Sequence, residues 1–256
     1  MFSSKDKIDI IMPNFNKGQF IEKAILSVIN QSYNNWKLHI VDDCSGDNSR
    51  KIIKKFKKRK KINFVFLKKN KGPSYCRNLI LKKTKSKFVA FLDSDDYWTK
   101  DKLKFQIKFM NKNKYSFTFT DYLPMIQTKE SKKFFKPTKI EKKFTFKKFI
   151  HNSSINTSTM ILERSKLKNL KFRNLNLMED YIFKCDLMKK SKIPFQKLEK
   201  VTAVYRIIKS SRSSKKIFNI FYLWLLNKKF NKLNFFQNLM SIIFISINSI
   251  KKYGFK

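Results

Sequence analysis

The sequence predicts an α/β protein, with a mostly parallel central sheet flanked by helices and a helical extension at the C-terminus. Two observations predict it. Short apolar runs rich in β-branched residues alternate with stretches of helical periodicity through the first half of the chain, and repeated strand–helix–strand units imply parallel strands joined by crossover helices. Two of the three clusters of acidic residues sit where those strands end, which is where open α/β sheets hold their ligands.

The elements follow in order. IDIIM (8–12) reads as a buried strand. GQFIEKAILSVINQS is a helix with Phe20, Ile21, Ala24, Ile25, Val28 and Ile29 on one face. KLHIVDD (37–43) is the second strand, and NSRKIIKKFKKR the second helix with Asp47 as its cap. INFVFL (62–67), a helix from about Ser74 and KFVAFLD (87–93) come next. After Trp98 the helix KDKLKFQIKFMNK leads to the strand SFTFTD (116–121). Residues 122–150 are rich in Lys and Phe and read as a loop-bearing insertion. NTSTMILE is a strand candidate, MEDYIFKCDLMKK a helix opening on two acids, and KVTAVYRI a last strand ending near Arg206. Helical segments over 215–230 and 234–252 close the chain, and no internal repeat is visible.

Composition limits the function. The formal net charge is +41, from 59 Lys and Arg against 18 Asp and Glu. The basic residues are spread along the whole chain, Lys far outnumbers Arg, and only 4 Gly stand beside 27 Phe, the pattern of drift in an AT-rich genome. The alternative is attraction to anionic lipid or nucleic acid. Cys44, Cys76 and Cys185 form no CxxC pair, which argues against a disulfide framework or zinc site and fits a reducing compartment. The N-terminal MFSSKDKIDII does not have the form of a signal peptide. No apolar run has the roughly 18–20 residues of a spanning helix. Neither GxGxxG nor GxxxxGK[ST] occurs, so a dinucleotide fold and a P-loop are unsupported.

Eight of the 18 acids fall into three clusters: Asp42, Asp43 and Asp47; Asp93, Asp95 and Asp96; Glu179 and Asp180. Carboxylates at i and i+2 where the chain leaves a strand, as in Asp93-Ser94-Asp95, can share one hard cation, and Mg²⁺ or Mn²⁺ would bridge them to a diphosphate. Taken alone, the same acids are more simply helix caps, with Asp96 or Thr99 capping the helix from about Lys100. Asp42 and Asp43 alone are a turn signal. Gly72 allows close backbone approach, and Arg77 offers a phosphate or base contact. Glu179 and Asp180 alone are acids opposing a helix dipole.

In order and spacing, IDIIMPNFNKG…VDDCSGDNS, NKGPSYCRNLIL and KFVAFLDSDDYWTKDKL resemble the nucleotide-binding half of the family 2 glycosyltransferases, which have the GT-A fold. The likeness is dense over residues 8–121 and thinner through NTSTMILERS, MEDYIF and YRIIKSSRSS. It implies a nucleotide-sugar-binding half over 1–121, an acceptor-binding half over 122–214 and C-terminal helices over 215–256. It implies Pro13, Asn14 and Phe15 on the base and ribose of a UDP-type donor, Asp43 on the base edge with Arg77 close by, and Mg²⁺ or Mn²⁺ at Asp93 and Asp95. Asp180 becomes the general base of an inverting transfer. Glu179, Arg206, Ser211 and Ser213 become substrate-side residues, and Asp96 and Trp98 either structural or sugar-facing ones. The family often carries a His in the loop that YRIIKSSRSS matches, and this chain has none there.

The implied acceptor is a glycan or a lipid-linked sugar at the cytoplasmic face of a membrane. Phe235, Phe236, Leu239, Met240, Ile243, Ile247 and Ile250 recur at helical spacing, opposite Gln237, Asn238, Ser241 and Asn248. Such a helix lies on an anionic membrane surface, or packs on the core or on a second subunit. A sugar nucleotidyltransferase and a basic nucleic-acid-binding module are the rival readings. Neither accounts for the order of the motifs, and no nucleic-acid partner is expected.

Overall fold

The computed structural model describes residues 6–127, 131–138, 140–167, 171–208 and 216–253. The first strand, β1 (Ile8–Asn14), is buried along its whole length, and helix α1 (Gly18–Ile29) turns Ile21, Ala24, Ile25 and Val28 inward at the expected spacing. The chain continues through β2 (Trp36–Asp42), α2 (Ser49–Lys54), β3 (Ile62–Phe66), α3 (Gly72–Lys83), β4 (Phe88–Phe91), the two-residue β5 (Tyr97–Trp98) and α4 (Lys102–Asn113). Next are β6 (Phe117–Gln127), β7 (Lys132–Phe134), β8 (Lys143–Phe144), α5 (Phe146–Phe149), β9 (Ile161–Glu163), α6 (Glu179–Ser191) and β10 (Phe195–Ile207). Helix α7 (Lys216–Leu226), a π-helical turn (Asn227–Asn231) and α8 (Phe235–Tyr253) end it.

The sheet order is β3-β2-β1-β4-β9-β6-β10-β5. β3, β2, β1 and β4 are parallel, as the repeated strand–helix units require. Beyond β4 the sheet is mixed, because β9 inserts antiparallel between β4 and β6 while β10 lies parallel to β6. Strand order reverses at β1, with β2 on one side and β4 on the other, so a ligand crevice opens beyond the carboxyl ends of β1 and β4.

Several expectations shift. The segment after residue 121 is not a plain insertion: β6 runs on to Gln127 through Pro124, pairing with β10, and the Pro124 carbonyl accepts from the Phe135 amide at 3.0 Å. Asn48 holds the N-cap position of α2 without a side-chain cap bond, and the Asp47 carboxylate accepts from Ser49 N–H at 2.9 Å and from Gly18 N–H at 2.7 Å, joining the starts of α1 and α2. Helix α4 starts after Asp101, which makes no side-chain cap, so neither Asp96 nor Thr99 is the cap.

Two buried polar devices fix the frame. Asp9 near the start of β1 is held by His39 Nε2 at 3.0 Å, Ser86 N–H at 3.0 Å and Arg164 at 3.4 Å. His39 is thus a partner of the frame and not of a ligand. Lys102, fully buried, donates to Gln106 at 2.5 Å and to the Thr159 carbonyl at 3.1 Å, and burial brings its pKa down to about 7.

Candidate active site

A cavity of about 810 Å³ opens at the strand-order reversal. Its walls come from the β1–α1 loop, the end of β2, the start of α3, the turn after β4, residues 153–157, and the start of α6. Pro13, Asn14, Phe15, Asp43, Arg77, Asp93, Asp95, Glu179, Asp180 and Arg206 all border it. Residues more than 160 positions apart in sequence therefore meet at one site.

The floor is set by β1 and β2. Asn14 donates to Asp42 Oδ2 at 2.8 Å and to Ser45 Oγ at 3.2 Å, which fixes its amide orientation and leaves Oδ1 buried with no hydrogen-bond partner. Asp42 is structural: it accepts from Asn14, from Ser45 N–H at 3.1 Å and from Arg50 Nε at 2.7 Å. Asp43 accepts from the backbone N–H groups of Lys71 and Gly72, both at 2.7 Å. Gly72 has φ +81°, a conformation that a Cβ would strain, so glycine allows the loop to present both amides to one carboxylate. Phe15 is half exposed at the rim.

The turn after β4 carries the aspartates, and each has a different environment. Asp93 Oδ1 accepts from Arg77 at 2.7 Å. Asp95 pairs with Lys17 Nζ at 3.0 Å. Burial raises the Asp95 pKa, the Lys17 ammonium opposes the rise, and the neighbouring Asp93 charge adds to it. Asp96 is turned away into the core, accepting from Ser158 Oγ at 2.6 Å and from Arg206 N–H at 2.9 Å. Burial, with the charges of Asp95 and Asp93, pushes its pKa well up. Trp98 is buried and donates from Nε1 to the Ser158 carbonyl at 2.7 Å. Asp96 and Trp98 are thus not substrate-facing: they pin the aspartate turn to residues 157–159, and Ser158 Oγ also receives the Asp93 N–H at 3.1 Å.

Arg77 differs from the expectation of a base or phosphate contact. It is 4% exposed, bridging Asp93 at 2.7 Å and Glu179 Oε1 at 3.1 Å with its face over Phe172, and its Nε has no partner. Burial by itself would lower its pKa, and Asp93, Glu179 and Asp180 outweigh that and hold it above the usual value. Arg77 is a strut between the two acid clusters. Arg206 lies near the end of β10, where the strand KVTAVYRI is read to end. Its guanidinium donates to the Asp95 carbonyl at 2.7 Å and to Gln127, and lies over the Phe20 ring at 4.4 Å. Ser211 and Ser213 lie outside the described residues.

Opposite the aspartate turn, α6 opens with Glu179 and Asp180 after Met178, which has a left-handed backbone at φ 57°. Asp180 Oδ2 accepts from Thr157 Oγ1 at 3.0 Å and from Lys184 Nζ at 2.7 Å. Burial alone would raise its pKa, but the Lys184 ammonium, then Arg77 and the Thr157 hydroxyl, hold the carboxyl below the ordinary range. Both bonds fall on Oδ2, so Oδ1 is the oxygen left for a ligand.

Lys17, Thr157, Ser158 and Lys184 join the site without being assigned a role by the sequence motifs. Lys184 had a signal, since an acid and a lysine at i and i+4 share one helix face. Lys17 and Ser158 had none, because their partners are remote in sequence.

Asp93 and Asp95 offer oxygen donors only, the set a hard divalent cation prefers. Among the described residues no group of three or more His, Cys, Asp or Glu comes together to hold a metal. A cation held there would take its remaining ligands from water and a diphosphate. The two carboxylates fit that role.

The family model for "Glycosyl transferase family 2" matches residues 9–171. A putative teichuronic acid biosynthesis glycosyltransferase, TuaG of Bacillus subtilis (strain 168), is 31% identical over 98% of this chain and 99% of its own length. WfgD of Escherichia coli, a UDP-Glc:alpha-D-GlcNAc-diphosphoundecaprenol beta-1,3-glucosyltransferase, is 34% identical over 97% of this chain and 95% of its own. Residues 1–349 of TarS from S. aureus, solved in complex with UDP-GlcNAc, superpose with a TM-score of 0.72 at 20% identity, over 96% of this chain and 73% of that one. The fold is that of the GT-A glycosyltransferases. The family match covers more than half the sequence and the full-length relatives agree with it: this chain is a glycosyltransferase and belongs to glycosyl transferase family 2.

Proposed function

We propose that the protein moves a sugar, with inversion, from a UDP-sugar to a hydroxyl of a glycan or lipid-linked acceptor at the cytoplasmic face of a membrane. One observation carries this reading: the aspartate turn and the Glu179–Asp180 helix start face each other across one cavity, tied together through Arg77. The donor follows the UDP named for WfgD and TarS, and the lipid-linked acceptor follows the diphosphoundecaprenol in WfgD's name.

In this reading the base and ribose lie against Pro13, Asn14 and Phe15. Asn14 Oδ1, buried and unpartnered, accepts from the nucleoside. Asp43 already holds two amides, so it takes the base edge on its remaining lone pairs while keeping the Gly72 loop in place. A divalent cation, when bound, neutralises charge on the diphosphate, and Asp93 and Asp95 hold it. Lys17, in a salt bridge to Asp95, also places a positive charge near the leaving group.

Asp180 Oδ1 accepts the proton of the acceptor hydroxyl as that oxygen attacks the anomeric carbon. The new bond is acceptor oxygen to anomeric carbon, and the bond that breaks is anomeric carbon to diphosphate oxygen. The electron pair leaves on UDP, and the proton passes from Asp180 to water. The low pKa keeps Asp180 ionised across the physiological range and weakens it as a base, so Lys184 sets a compromise between availability and strength.

Release of UDP from a UDP-sugar in the presence of an acceptor tests the reading. Asp180→Asn is expected to lower kcat at least about 100-fold while UDP affinity stays within twofold, the general-base contribution being about 10²–10⁴. Unchanged kcat in this variant removes Asp180 as the base.

A further inference from the structure

Helix α7 packs Leu223 and Leu226 on the core, and α8 turns polar side chains inward beside Ile242 and Ile245. The polar side of α8 is the buried side: Asn238 is 1% and Ser241 0% exposed. Asn238 donates to the Trp224 carbonyl at 3.0 Å, Ser241 to the Ile150 carbonyl, and Asn248 to the His151 carbonyl at 3.1 Å. In the turn between the helices, Asn227 is fully buried and bonds to the hydroxyl of Tyr181, to Asn238 and to Ser241. These bonds lock the rotation of both helices, because turning either one would strip several buried amides of their partners.

Both helices also present an apolar side to the outside. Phe236 is 75% exposed, Phe235 62%, Phe221 61% and Phe218 52%, with Leu225, Met240, Ile243 and Ile247 also exposed. Exposed large apolar side chains in a row along two helices are a binding surface, not ordinary scatter. Among the described residues no helix is long and apolar enough to cross a membrane. Lys228, Lys229 and Lys232 are exposed at the turn joining the helices and Lys251 at the far end of α8, and no acidic residue follows Glu199.

We infer that the outward faces of α7 and α8 form the surface by which the protein lies on an anionic lipid bilayer, the phenylalanines entering the acyl boundary and the lysines meeting the headgroups. Charge selects lipid over a second copy: two chains of +41 would meet through a region without a single carboxylate, whereas an anionic bilayer supplies the opposite sign. The surface adjoins the cavity. Ile150 and His151, which receive Ser241 and Asn248, lead into wall residues 153–157, and Lys252 bonds to Ser154 of that wall. Docking thus brings the cavity beside the headgroups. This consequence rests on the lipid-linked acceptor reading, while the docking surface itself does not.

The test is flotation of the full chain with vesicles of phosphatidylglycerol and phosphatidylcholine, and with phosphatidylcholine alone. The wild-type protein is expected to float with the anionic vesicles and far less with the neutral ones. Phe221→Ser/Phe236→Ser, which alters exposed side chains, is expected to partition about tenfold or more weaker while its circular dichroism and its response to UDP match wild type. Equal flotation of the variant, failure of the wild type to float, or a wild-type dimer that the variant abolishes would each overturn the inference. UDP binding lost in wild type and variant alike would count against the transferase reading and leave this one standing.

Discussion

Replacing Arg77 with Met separates the two acid clusters from their shared cation. The pairs are short, 2.7 Å to Asp93 and 3.1 Å to Glu179, with side-chain exposures of 5% for Arg77, 5% for Glu179 and 35% for Asp93. At an effective dielectric near 20, one charge pair about 4 Å apart is worth about 4 kcal/mol before desolvation. Solvent reduces the share of the half-exposed Asp93 pair. Removing one partner of a buried pair costs about 3–5 kcal/mol, so the expected loss for Arg77→Met is about 3 kcal/mol, read from urea unfolding at pH 7. Glu179→Gln in the same chain should restore part of it, since the buried carboxylate charge goes with its partner. UDP affinity in the folded variant should fall modestly, through Asp93. A loss below 1 kcal/mol together with a tenfold or larger drop in UDP affinity would refute the strut, and would make Arg77 the nucleotide contact that its place in the motif implies.

Two further outcomes follow from the buried network. Lys184→Met removes the ammonium that holds the Asp180 pKa down, so the acid limb of the pH–kcat/KM profile should move to higher pH; a limb that does not move would detach Lys184 from the base. Burial alone would raise the Asp9 pKa, but hydrogen bonds from His39 and Ser86 lower it from the usual 3.8 to about 2. Its stabilisation is therefore complete above about pH 5 and is lost as pH falls through 4 towards 2, a contribution of about 2 kcal/mol. Asp9→Asn should flatten the loss of urea midpoint between pH 5 and pH 3 relative to wild type, and an unaltered slope would contradict this.

Much of the frame is legible in the sequence because its signals are local. β1, β2 and β4 are largely apolar runs, and the aspartates at the ends of β2 and β4 show where those strands stop. Other features depend on contacts that no local pattern encodes. Pro124 argues against a long central strand, yet β6 passes through it because its carbonyl still finds Phe135 and its neighbours still pair with β10. Three-residue β9 is too short to announce that it runs antiparallel. The sequence shows Asp93, Asp95 and Asp96 as one acidic cluster, and only the fold separates two that border the cavity from one that anchors Ser158 and Arg206. Periodicity likewise gives α8 two faces without saying which is inside. The sign is set by Asn227, Asn238 and Ser241, whose bonds form only once α6, α7 and α8 are assembled.

In the proposed reaction the cavity holds a nucleotide diphosphate through a divalent cation at Asp93 and Asp95. Calorimetric titration of UDP into the purified protein, with Mn²⁺ and then with EDTA, beside Asp95→Ala, tests it most directly. Binding is expected to disappear with EDTA and to fall at least tenfold in the variant. Binding of equal strength under all three conditions would contradict it, and would leave the Asp95–Lys17 pair as a structural contact only.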